Sequence, residues 1–168
     1  SSSPRDPASS SGYPSESQVR SIPPTAPPRL EWALVRRIFV VKFYTPPTVA
    51  EVGALTSELT VAYERLKPPL HYLGIIDAGA EVPPPTVRAA LTAFGGLVNS
   101  KCLTAHLVIE GDGFKPALQR SLITAMHLLK GQKVQCHKSA DAAAAILAPL
   151  VEMGVTELNL ALRQALRI

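Results

Sequence analysis

Asp77 and Glu110 each close a run of apolar, β-rich residues, the place where α/β proteins put catalytic carboxylates, recognition groups and cap acceptors. Two carboxylates can do acid/base chemistry, but here no serine elbow of the Gly-x-Ser-x-Gly type and no cofactor motif stands beside them. Gly111-Asp112-Gly113 has the start of a phosphate-binding turn, yet the third glycine of a dinucleotide fingerprint falls on Pro116. Lys115-Pro116 likewise lacks the glycine and hydroxyl of a P-loop. Free backbone donors at the start of the helix expected there leave Asp112, Gly113 and Lys115 as a place for an anion or an acidic side chain of a partner. A zinc site needs at least three convergent ligands, and among the four histidines, His71, His106, His127 and His137, only His106 and His127 with Cys136 form a set to consider. No CxxC or HxxxH spacing accompanies them, so no metal and no cofactor is expected, and the chain is not expected to be an enzyme.

The elements that must position these residues follow from periodicity and punctuation. Leu34 to Tyr44 is apolar and β-branched with charges at Arg36, Arg37 and Lys42, which predicts one strand or a bent pair. Thr48 with Glu51 forms a capping box, and Val52, Leu55, Leu59, Ala62 and Leu66 recur on one face of the helix it opens. Pro68 and Pro69 stop that helix, and Leu70 to Ile76 predicts a strand covered on both sides. A second helix is expected from about Thr86, with Val87, Ala90, Leu91, Phe94 and Val98 inside, then a strand from Cys102 to Ile109. A third helix is expected over Phe114 to Leu129, capped by Asp112, and a short strand over Lys133 to His137. Ser139 caps an Ala-rich helix that Pro149 interrupts, and Leu158, Leu162 and Leu166 stripe a last helix over Thr156 to Leu166.

Strands alternating with helices predict an α/β fold with a mostly parallel sheet of four or five strands. The 168-residue chain, 46% hydrophobic, has the material for one core. Residues 1–30 are expected to be a disordered Ser/Pro-rich tail, 31–154 the domain, and 155–168 a helix packed on it or on a partner. No apolar run approaches a membrane span, and no signal segment is visible, which predicts a cytoplasmic protein that does not bind membranes. A net charge of +4 is modest and aromatics are only 5%, too few for a stacking platform, so nucleic acid is not the expected partner. Cys102 and Cys136 sit in strand-like contexts and are expected to be buried, reduced thiols.

From about Leu34 to Leu147 this pattern resembles the STAS domains, the fold of bacterial anti-sigma-factor antagonists. The resemblance rests on the strand ending in Asp77, the loop after it, the helix near Thr86, the strand AHLVIEG, the short strand KVQCH and the closing helix SADAAAAIL. In that family a hydroxyl at the start of the helix after the strand-end Asp is phosphorylated by a partner kinase. The resemblance therefore implies a regulatory, signalling role through protein–protein interaction, with a kinase or an anti-sigma-type regulator as partner. It implies Thr86 as the switch residue, with Asp77, Glu81 and Val87 in the partner-binding surface; Pro85 stands where the family has Asp. The alternative is a module binding a small ligand, nucleotide or lipid through the loops around Asp77 and Gly111 to Lys115, since similar element strings occur in the CRAL-TRIO lipid-binding fold. Oligomeric state is left open.

Overall fold

A computed structural model of the chain describes residues 28–111, 120 and 134–166. The expected helix over 114–129 therefore lies outside the described residues, apart from Arg120.

The apolar run from Leu34 supplies the end of one strand and all of the next, and the first of the two begins earlier, at Leu30. β1 (Leu30–Val35) and β2 (Ile38–Phe43) pair antiparallel in the register Val35↔Ile38 to Leu30↔Phe43. Only Arg36 and Arg37 lie between them, Arg36 with φ 55°, and a link that short permits no other orientation. The remaining strands are joined by crossovers. α1 (Val49–Leu66) leads to β3 (His71–Ile76), and α2 (Pro85–Lys101) to β4 (Thr104–Ile109). β5 (Gln135–His137) precedes α3 (Ala140–Leu147), a single 3₁₀ turn (Ala148–Val151) and α4 (Val155–Leu166). The described sheet has the order β1-β2-β3-β4-β5, with β2 to β5 parallel. It is thus a mixed sheet of five strands, parallel except for the leading hairpin of β1 and β2.

Local signals place the helix ends. Thr48 and Glu51 exchange the two hydrogen bonds of the capping box, at 3.1 and 2.7 Å. Ser139 Oγ accepts from the Ala142 amide. The last carbonyls of α1 have no intrahelical partner, and Arg37 Nη1 donates to Leu66, Lys67 and Pro69 oxygens, tying the hairpin turn to the helix end.

The sheet is the middle of three layers. α1 and α2 cover one face, burying Val52, Leu55, Leu59, Phe94 and Val98 against Phe39, Val41, Tyr72 and Ala105. α3, the 3₁₀ turn and α4 cover the other, with Ala143, Ala144, Leu147, Leu158, Leu162 and Leu166 against Val40, Leu73, Ile75 and Val108. α4 thus packs on this sheet. Pro149 ends α3 as expected, and the chain turns through a 3₁₀ segment before α4. Strand β2 is buried along its whole length, which requires Lys42 to be buried with it. No single helix among the described residues is long and apolar enough to cross a membrane.

The cysteines differ from each other. Cys102, at the end of α2, is partly buried, and burial pushes its thiol up to about 12, so it stays protonated. Cys136 is exposed, contrary to expectation, because β5 is a three-residue edge strand. The two form no disulfide with each other.

Candidate functional site

Parallel strands bring the loops after their C-terminal ends to one edge of a sheet. Here the C-terminal ends of β2, β3, β4 and β5 lie along it, and the last turn of α4 returns to it, with Tyr44 Oη 3.4 Å from the Leu166 carbonyl. Alternation along β2 and β4 points Lys42 and Glu110 to the same face, and Lys42 Nζ lies 3.2 Å from Glu110 Oε1. The Lys42 side chain is 8% exposed and that of Glu110 30%. An ammonium that deep needs a counter-charge, which Glu110 supplies from the solvent side.

Tyr44 completes the group. Its ring lies 5.1 Å from Lys42 Nζ, and its hydroxyl donates to Glu31 Oε1 at 2.7 Å. Burial first, and then the bond to Glu31, push that hydroxyl up to about 12, so it remains a neutral donor. Beside this group a cleft of about 140 Å³ is lined by Glu110, Ala140, Asp141, Asn159, Leu162 and Arg163. Arg163 faces Asp141 at 3.7 Å, both side chains largely in solvent. Pockets for small ligands run to roughly 300–1,000 Å³. A cleft of this volume has room for no more than the tip of a side chain, and its lining offers acidic, amide and guanidinium groups.

Of the residues singled out by sequence, Asp77 lies at this edge. Its amide donates to Phe43 O at 2.9 Å, its Oδ2 accepts from the Gly79 amide at 3.0 Å, and its carbonyl accepts from Ala80. Asp77 therefore folds the loop after β3 back on itself as a short Asx turn. Glu81 is exposed beyond it. Thr86 is exposed on the first turn of α2, but it is the second helical residue rather than the cap. The cap position is Pro84, with no side-chain cap bond, because Pro85 is already set for the first helical position by its fixed φ. Val87 is buried, 6% exposed, so it supports α2 from inside and offers no surface to a partner. Asp112, Gly113 and Lys115 lie outside the described residues.

Sequence reasoning missed the group of Glu31, Lys42, Tyr44 and Glu110 as a unit. A lysine inside a strand buried on both faces was the available signal, since it requires a partner; which partner depends on register between strands far apart in the chain.

A second group lies further along the same face. His71 Nδ1 is 2.7 Å from Thr104 Oγ1, and His106 Nδ1 is 2.9 Å from His137 Nε2. The zinc set considered from sequence does not form among these residues: alternation along β5 turns Cys136, the register partner of Leu107, away from His106, and His127 lies outside the described residues. Among the described residues no three His, Cys, Asp or Glu side chains are placed to hold a metal.

No family model, no curated protein and no solved structure matches the chain.

Proposed function

We propose that this domain is a regulatory module that works by binding another protein, similar in kind to the STAS domains, with the C-terminal edge of the sheet as its docking surface. The observation that carries the reading is the segment from Asp77 to Thr86. It is anchored at its start by the Asp77 turn, exposed at Glu81, and delivers the Thr86 hydroxyl to solvent on the first turn of α2. A phosphate there carries roughly −1.5 to −2 charges at neutral pH and meets the unpaired amides and positive end of the helix dipole. The fold tolerates it, while an acidic partner surface is repelled.

The mixed sheet with a leading hairpin, and helices on both faces, agrees with that reading. So does the cleft beside Glu110, sized for a partner side chain rather than for a nucleotide or a lipid. A kinase or an anti-sigma-type regulator is the class of partner proposed.

Two measurements test it. The protein is isolated from its native cells with its partner, and the peptide containing Thr86 is examined by mass spectrometry for a phosphate. The complex is then reassembled with Thr86→Glu and with Thr86→Val. Loss of binding in the first variant and retention in the second is expected; equal binding by both removes Thr86 from the switch.

A further inference from the structure

His106, in the middle of β4, is fully buried, and His137, at the end of β5, is half-buried. Their ring centroids are 5.1 Å apart with planes inclined by 26°, while the facing nitrogens are 2.9 Å apart. The centroid distance exceeds the nitrogen distance by about two ring radii, so the rings meet edge to edge along one line. A metal shared by two imidazoles needs each nitrogen about 2 Å from it, so two nitrogens aimed at each other this closely leave room for a proton only.

One nitrogen must donate. If His137 Nε2 donated, His106 would carry its own hydrogen on Nε2, which is buried with no hydrogen-bond partner among the described residues. A buried donor without an acceptor is the rarer and costlier case. His106 Nδ1–H therefore donates to His137 Nε2, and a lone pair is what is stranded on the far side of the His106 ring.

This bond adds a side-chain tie between β4 and β5 to the short backbone ladder. Among the described residues β5 pairs with β4 through Gln135, Cys136 and His137, and Ser139, the cap of α3, follows at once. We propose that the His106–His137 bond is an acid-released latch: it fixes β5, and the start of α3 behind it, to the sheet at neutral pH and lets go when either ring takes a second proton.

A proton on His137 Nε2 sets two N–H groups against each other, and a proton on His106 Nε2 creates a buried cation with no acceptor. Among the described residues the surroundings do not relieve either. From β3 comes His71, held by Thr104, with Arg37 behind it; from β5 come His137 and, next to it, exposed Lys138. Asp141, the one carboxylate on α3, is exposed and faces Arg163. Burial, and then the charges of His137 and His71, bring His106 down to about 4, and burial lowers His137 as well. Both groups thus bind protons less readily folded than unfolded. The latch contributes fully above the ordinary histidine value of 6.5, and its contribution is lost as pH falls from there toward 4.

The test is NMR on the full chain between pH 7.5 and 4.5, following imidazole nitrogens and amide protection corrected for intrinsic exchange. Expected are an Nδ1–H tautomer on His106 and midpoints below the ordinary value for both rings. The Gln135 to His137 amides should lose protection relative to β2 and β3 by about tenfold per pH unit below 6.5 for each proton taken up. His137→Gln, whose amide oxygen accepts the same hydrogen and does not titrate, leaves His106 as the one ring of the pair that takes up a proton, so the loss of β5 protection per pH unit should shrink from two protons' worth to one. A His106 midpoint at the ordinary value, or β5 protection that follows β2 and β3 at every pH, overturns the latch.

Discussion

Under α1 and α2 the sheet presents Phe39, Val41, Phe43, Tyr72 and Ala105; under α3 and α4 it presents Val40, Leu73, Ile75 and Val108, and between them Lys42, His71 and His106. The first face is covered by two long helices and filled with aromatic rings, including the edge-to-face pair of Tyr72 and Phe94 and the stack of Trp32 on Phe39. The second is covered by a short, Ala-rich helix and a 12-residue one. One face is held by volume and apolar area. The other adds polar groups that must each find a partner, and so carries whatever responds to charge, pH or a binding protein.

That contrast can be broken at several points. Phe39→Ala empties the centre of the aromatic face and is expected to cost about 3–5 kcal/mol, measured by urea unfolding, with no change in pH dependence. On the other face, Glu110→Gln leaves Lys42 buried without its counter-charge. A loss of about 2 kcal/mol is expected, less than for a fully buried pair because Glu110 is partly in solvent, and the double variant Lys42→Met with Glu110→Gln should recover most of it. If the single and double variants are equally destabilised, the two side chains do not act as a pair. Arg163→Ala should change stability by under about 0.5 kcal/mol, since its partner Asp141 is as exposed as it is. A larger loss would show that the cleft is a structural joint rather than an open surface.

How legible each face was follows from how local its signals are. The capping box of Thr48 and Glu51, the Ser139 cap, the apolar stripe from Val52 to Leu66 and that of Leu158, Leu162 and Leu166 are all written within a few residues of themselves, and all occur as read. α2, expected from about Thr86, begins at Pro85, whose preset φ suits the first helical position. The pairs Lys42–Glu110 and His106–His137 were not legible, because each depends on strands meeting in register across a long stretch of chain. Alternation alone says which residues share a strand face; it does not say who stands opposite.

The hydroxyl of Tyr44 touches both Glu31 of β1 and the Leu166 carbonyl at the end of α4, and Ala33 and Val35 of β1 share a core with Leu158, Leu162 and Leu166. During synthesis, β1 therefore waits for α4. The hairpin, α1 and β3 can assemble as they emerge, but the face they share with α3 stays only partly covered until α4 has left the ribosome, so completion of that face is timed by α4.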